Sequence, residues 1–255
     1  MTTTTYTHTY PLTAAARRVV LQGAYNVRHV GGYATGNGRF TRAHAFFRAD
    51  SLHAITPADT ETLLEHGIQT IIDLRDTAEQ TARPNRLAQA PGVDYHHVPL
   101  YEHWNRFAVG ETGLVSLSRY NELLLARCQA PLRRVFGLLA ERPFPALVHC
   151  AVGKDRTGLV AGMVLDLAGV PRPQIMADYS HSFGYLTPVL DEWRARAVVD
   201  GFDAAEYEQI LRSPPEVMAE TLAHLKHVYG GTAAYLAQIG LSAAELERIR
   251  ERVLD

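Results

Sequence analysis

Among residues that do chemistry, this 255-residue chain is poorest in lysine and cysteine: Lys154 and Lys226 within a Lys+Arg total of 25, and two cysteines, Cys128 and Cys150. Two cysteines cannot build a disulfide framework, and without a C-x-x-C pair the common zinc and dithiol motifs are excluded, so a reducing compartment fits best. Charge of one sign is also scarce. A formal net charge of -2 gives no general attraction to nucleic acid or to an anionic membrane, so any basic site must be local. No stretch approaches the ~18 apolar residues of a membrane helix. The opening "MTTTTYTHTYPLTAAARR" lacks the basic start and apolar core of a signal peptide. We therefore expect no integral membrane segment and no nucleic-acid partner. Cytoplasmic is the default location, with export lacking a readable signal as its alternative. Linkers rich in Gly, Ser or Pro are absent too. Residues 16–255 are expected to form one domain behind a loose threonine-rich tail at 1–15.

Short β-branched or aromatic runs recur through the first 150 residues: "VVLQG", "HAFFRAD", "IQTIIDLRD", "VDYHHVPL" and "PALVHC" predict strands, and "GGYATGNGRF" predicts turns or a hairpin. Between them "TPADTETLLEHG" predicts a helix with Thr56 as N-cap, Pro57 at its first position and Gly67 as its stop. "LSRYNELLLARC" and "PLRRVFGLLAER" predict two more. "RTGLVAGMVLDLAG" is apolar or small almost all round, with Asp166 the exception, so that helix belongs at the centre. From Arg172 onward only helices are expected, the last opened by a capping box from Ser242 to Glu245. The fold class is α/β: a central, mostly parallel sheet flanked by helices, with a helical C-terminal third.

Cys150 sits where the strand "PALVHC" meets the loop "AVGKDRTG". It is apolar only upstream, and faces a glycine, cations and a hydroxyl downstream, which is the environment of a reactive thiol rather than of a buried filler. At the carboxyl end of a parallel strand the next helix presents unpaired N–H groups and about half a positive charge, so the loop is an anion site. The five residues between Cys150 and Arg156 (Ala151, Val152, Gly153, Lys154, Asp155) are enough for successive N–H groups to curl around one tetrahedral centre.

These features match hydrolysis of a phosphate monoester through a covalent intermediate. A nucleophilic thiol must be ionised at neutral pH; lowering a thiol from about 8.5 to about 5 raises its thiolate fraction from roughly 3% to roughly 99%, a differential of about 4–5 kcal/mol. The helix terminus, Arg156, the loop N–H groups and the Thr157 hydroxyl are there to supply it. Arg156 offers a planar fork for two phosphoryl oxygens, which a lysine cannot reproduce. His149 is expected to order the loop. For the acid that protonates the leaving oxygen, three carboxylates qualify: Asp73 and Asp155 ahead of Asp76, with Asp73 equally suited to pairing with Arg75 or Arg156. No metal site is expected, since His96 and His97 point to opposite faces of a strand and no H-E-x-x-H occurs. A site that captures phosphate without turning it over is the competing reading. Sulfur transfer is disfavoured by the loop length and by Thr157. Cys128 is expected to be core filling rather than a disulfide partner for Cys150.

The Cys-x5-Arg-Thr pattern with His before the cysteine resembles the loop of cysteine-dependent tyrosine and dual-specificity phosphatases. The fuller "HCAVGKDRTG" resembles that of the bacterial tyrosine/serine protein phosphatases. "NVRHVGGYAT", "FFRADSL", "GIQTIIDLRDTAEQ", "YHHVPL", "GVPRPQIMADYSHS" and "YGGTAAYLAQIGLS" resemble segments of that family in the same order. The resemblance implies a phosphatase without metal or cofactor, acting on phosphotyrosine, sometimes phosphoserine/threonine, and phosphoinositides, with inorganic phosphate as product. It implies a helical lid over 184–216. It also implies a role for Lys154 at the rim, meeting additional phosphates on an inositol ring, unless Lys154 merely pairs with Asp155.

Overall fold

A computed structural model describes residues 10–102, 116–199 and 201–255. Its sheet contains β1 (Arg28–His29), β2 (Phe46–Ala49), β3 (Thr70–Asp73), β4 (Asp94–His97) and β5 (Ala146–His149), in the spatial order β1-β2-β5-β3-β4. All neighbours run parallel except β1 against β2. The short apolar strands β2, β3 and β5 are buried on both faces, as strands between two helical layers must be.

Alternation along the strands divides the core. Phe46, Ile72 and Val148 enter the larger cluster with Leu132, Phe136, Leu159 and Val164, while Phe47, Ile71 and Leu147 enter a smaller one with Leu52, Ile55 and Leu63. The smaller cluster is covered by α2 (Pro57–Glu65) and by loop residues such as Val19, Leu21 and Val27, which follow α1 (Ala14–Arg17). Thr56 caps α2 as expected, in a box closed by Asp59. α3 (Thr77–Ala82) leaves the end of β3, and α4 (Leu117–Arg127) and α5 (Gln129–Glu141) lead into β5. Cys128 lies between these two helices in the larger cluster, where burial pushes its thiol up to about 11; both cysteines are free.

After β5 the chain enters α6 (Asp155–Leu167), in which Asp166 alone is not buried. Each fully buried aliphatic side chain on it (Leu159, Val160, Met163, Val164, Leu165) contributes about 1.5–3 kcal/mol, so the helix that carries Arg156 is fixed by the core itself. The helical third follows: α7 (Arg172–Val199), α8 (Ala204–Leu211), α9 (Pro215–Tyr229), α10 (Thr232–Gln238) and α11 (Ala243–Val253). Gly201, at φ 82°, separates α7 from α8, and the box from Ser242 to Glu245 opens α11.

Two expectations need correction. "VVLQG" is not a strand. Arg18 bridges Arg28 and Val19 N–H bonds Val27 O at 3.0 Å, after which the N–H groups of Gln22 and Gly23 are taken by the Asp59 carboxylate at 2.8 and 2.9 Å, ending the pairing. Of the expected tail, residues 1–9 lie outside the described residues. Residues 10–15 are tied to the body: Tyr10 stacks on Phe40, Leu12 N–H bonds Gly32 O at 3.1 Å, and α1 begins at Ala14.

Candidate active site

Strand register puts Ala49, His149, Asp73 and His97 in one row at the carboxyl edge of the sheet. Cys150 follows directly and is buried, and its Sγ accepts the Gly153 N–H at 3.3 Å. Most helices here are capped by a side chain at the N-terminus, Thr56, Asp76, Asp203 and Ser242 among the caps, but α6 has none. Its first N–H groups are left for an anion.

The loop is shaped from outside. His149 Nδ1 lies 3.2 Å from Cys150 O, Ser51 N–H donates to Ala151 O at 3.1 Å, Asn26 Nδ2 to Val152 O at 3.1 Å, and Arg48 to Gly153 O at 2.7 Å and Lys154 O at 3.3 Å. In a trans peptide the N–H of the next residue points opposite to each carbonyl. Fastening these successive carbonyls outward therefore turns the N–H groups of Ala151, Val152, Gly153, Lys154 and Asp155 inward, and the bond from Gly153 to sulfur is one instance of it. Gly153 is required: its φ is 70°, and a Cβ there would come within 2.5 Å of the Ala49 carbonyl and the Asp50 nitrogen.

His149 meets the loop at the Cys150 carbonyl. Burial lowers its affinity for a proton, and the neutral ring is placed by Asn85 Nδ2 donating to Nε2 at 2.9 Å, which leaves the proton on Nδ1 for Cys150 O. Arg156 is buried and meets Glu79 end-on, NH1 at 2.6 Å and NH2 at 2.8 Å. Burial disfavours both charges, and their paired hydrogen bonds override it, holding Glu79 below and Arg156 above the usual range. The guanidinium also lies 5.2 Å from the centre of the Tyr101 ring. Its side edge, from Nε to NH2, makes no bond to a described residue except through the Glu79-facing NH2, so a second bidentate partner can be met there. Thr157 Oγ1 is buried without a hydrogen-bond partner among the described residues.

Asp73 reaches the expected edge but turns the other way. It shares the register row of His149 and hence the strand face of Ile71 and Leu147, whereas Cys150 packs in the cluster on the opposite face. Its oxygens accept Arg75 Nε at 2.9 Å and NH2 at 2.6 Å and the Tyr95 hydroxyl at 2.8 Å. Burial works against the ionised form, but the hydrogen bonds and charge of Arg75 more than offset it and hold the carboxyl well below the usual range. Such a group has no proton to give near neutrality. Its place is to fix Arg75, which in turn donates to Ser51 Oγ at 3.1 Å behind the loop. Asp76 is spent as the N-cap of α3. Asp155, first residue of α6, accepts the Tyr179 hydroxyl at 3.2 Å.

Lys154 does not stand at the rim. It is buried, 3.5 Å from Asp155, and its Nζ donates to the carbonyls of Ile210 and, at 2.7 Å, Arg212, just past the end of α8. Beside it Val152 packs against an apolar group from α7 and α8 formed by Leu186, Leu190, Leu211, Phe183, Trp193 and Tyr207. The side chains that sequence reading passed over are Glu79, Tyr101, Asn26, Ser51 and Arg48. Glu79 stood in plain view as the third residue of a helix opening next to "DLRD", but only the fold shows that it faces Arg156.

A buried cysteine and a fixed arginine beside an uncapped helix, at the carboxyl edge of a parallel sheet, fit a phosphatase. The chain belongs to the tyrosine phosphatase family, whose model matches residues 19–255. It is an enzyme of the phosphatase class. Among its relatives, a tyrosine-protein phosphatase of Nostoc commune is 32% identical over 219 residues, covering 83% of this chain and 74% of the relative. The triple specificity protein phosphatase PtpB of Mycobacterium tuberculosis is 29% identical, covering 90% of this chain and 96% of the relative. P. aeruginosa TpbA, a solved structure, aligns over 68% of this chain and 89% of its own with a TM-score of 0.32 and 21% identity.

Proposed function

We propose that the protein hydrolyses phosphate monoesters, phosphotyrosine first among them, through a phosphocysteine on Cys150. What supports this reading above all is the set of loop carbonyls fastened outward, which aims N–H groups at the space beside Sγ. The Cys150 thiolate attacks phosphorus in line with the ester oxygen. The S–P bond forms as the P–O bond to the leaving group breaks, and that oxygen takes a proton from an acid. The loop N–H groups and the side edge of Arg156 hold the equatorial oxygens. Asp155 is the acid we assign, on its place within the loop and because Asp73 and Asp76 are otherwise committed. Water then attacks phosphorus, its proton passes to Asp155, and phosphate is released as the S–P bond breaks and its electron pair returns to sulfur. The Thr157 hydroxyl has a task in that second step, donating to the departing sulfur. Phosphoserine/threonine and phosphoinositides are the further substrates to test. The contacts of Lys154 give no support to its reading as a receptor for ring phosphates.

Assays on phosphotyrosine peptide, phosphoserine peptide and a short-chain phosphoinositide, each with chelator, test the reading. Turnover of phosphotyrosine with chelator present is expected; binding of the peptide without any turnover would decide for a capture module.

We further propose that residues 184–216 act as a lid, supported by the packing of Val152 under α7 and α8 and by the grip of Lys154 on the end of α8. Amide exchange in α8 is expected to be much faster than in α6 and to slow when tungstate is bound. Protection equal to that of α6, and indifferent to tungstate, would remove the lid.

A further inference from the structure

Three segments that mark the family in sequence carry buried charges whose purpose the mechanism above does not state: "NVRHVGGYAT", "FFRADSL" and "GVPRPQIMADYSHS". Their charged residues Arg28, Arg48 and Asp178 converge in one buried group beneath the loop. Asp178 takes Arg28 Nε at 3.0 Å on one oxygen and Arg48 NH1 at 2.6 Å on the other. Arg28 also bonds the side-chain oxygen of Asn26, whose amide nitrogen holds Val152 O, and Arg48 holds the Gly153 and Lys154 carbonyls. Gly158 leaves room for this: a Cβ there would stand 3.2 Å from Arg48 NH2 and 2.9 Å from the Tyr179 ring.

Within ion-pair distance this group is one carboxylate short. Two arginines share Asp178, the only carboxylate that close to either among the described residues. Asp50, just past β2, accepts the N–H groups of Tyr25 and Asn26 and is attracted by Arg28, but forms no ion pair with Arg48 among the described residues. Arg48 is moreover imperfectly satisfied, with its Nε buried and unbonded, and burial, followed by the repulsion of Arg28, pushes its guanidinium down to about 10. For stability alone one arginine would suffice, because an unbalanced buried cation opposes folding. Arg48 lies near enough to Cys150 for its charge to be felt by an anion held there.

We propose that Arg48 is a positioning residue of the phosphate site, which by holding the Gly153 and Lys154 carbonyls from beneath aims the Lys154 and Asp155 N–H groups at the anion and keeps an unbalanced positive charge below it. The inference rests on the phosphatase reading of Cys150. It also explains why Arg28 and Asp178 are there: Asp178 fixes the Arg48 fork, and Arg28 extends the same support to Val152 through Asn26.

The parent protein, Arg48→Met and Arg48→Lys are compared in turnover of an aryl phosphate, in equilibrium binding of tungstate and in melting temperature. Arg48→Met leaves Arg28 paired one-to-one with Asp178, so its melting temperature is expected within a few degrees of the parent. Its kcat is expected to fall about 100-fold and its tungstate affinity about tenfold. Arg48→Lys keeps the charge but cannot reach two carbonyls and a carboxylate together, and is expected to recover most of the tungstate affinity but little of kcat. A folded Arg48→Met with parental kcat and tungstate affinity overturns the proposal. So does a failure of both variants to fold, or a large fall in melting temperature for both, since Arg48 would then be a residue of the fold first. A parent that binds tungstate without turnover would sink the catalytic reading instead, leaving the binding comparison to judge Arg48.

Discussion

Cys150→Ser is expected to reduce turnover of an aryl phosphate by about 10⁵-fold or more, while tungstate binding stays within a few-fold of the parent. A serine hydroxyl is about the same size and remains protonated near neutrality, so the nucleophile is lost. The anion site survives, because its N–H groups are aimed by contacts to the carbonyls of residues 150 to 154 and not by the sulfur. Steady-state kinetics and titration calorimetry on the two proteins check this. When the parent is denatured in alkaline detergent during turnover, a phosphate stable to alkali but labile to mild acid, as an S-phosphate on cysteine is, should be found on the chain, and it should be absent from the serine variant. If the serine variant kept even a hundredth of parental turnover, the covalent route would have to be abandoned.

Arg156→Lys is expected to lose about 10³-fold in kcat, roughly 4 kcal/mol of transition-state stabilisation, with a much smaller rise in KM. Arg156 has to do two things at once. Its end meets both oxygens of Glu79, and its side edge is left for two phosphoryl oxygens. An ammonium has no second edge: bound to Glu79 it offers the phosphate one spherical charge, and released from Glu79 it leaves that half-buried carboxylate facing the incoming dianion. The split between kcat and KM is the diagnostic quantity, since a lysine still attracts the substrate but cannot follow the flattened, equatorial arrangement of the transition state. Equal losses in kcat and affinity would mean that Arg156 contributes attraction only.

The core of this site was legible in the sequence because its parts are neighbours in the chain. A β-branched run, a cysteine, a short loop with a glycine and an arginine opening an apolar helix place Cys150 at a strand end and Arg156 in the first turn of α6 without reference to anything distant. The parallel sheet and the buried α6 followed from the same local patterns. Strand register did not. That β3 lies beside β5 could be anticipated from apolar runs, but whether Asp73 or Leu74 would share the face of Cys150 depends on a one-residue offset that neither strand encodes. The offset places Asp73 opposite His149, away from the sulfur. Long side chains were opaque for a different reason. Lys154 was placed by its chain position on the anion loop, but its four-carbon stem carries the ammonium to the carbonyls of Ile210 and Arg212, more than fifty residues onward. Glu79, Asn26 and Arg48 likewise act at the ends of contacts that join segments distant in sequence. "VVLQG" failed as a strand because a carboxylate on α2 took the donors that a ladder would have used.

Because each peptide of the phosphate loop is pinned from behind, the cavity for the dianion is cast during folding, and the conformational entropy of shaping it is lost then rather than at each catalytic cycle. A mould that is already set greets every phosphoryl group alike, whatever alcohol it is attached to. On the proposed mechanism, discrimination among esters would fall to side chains outside the loop, with Tyr101 beside Arg156 and the aromatic group against Val152 the ones nearest it.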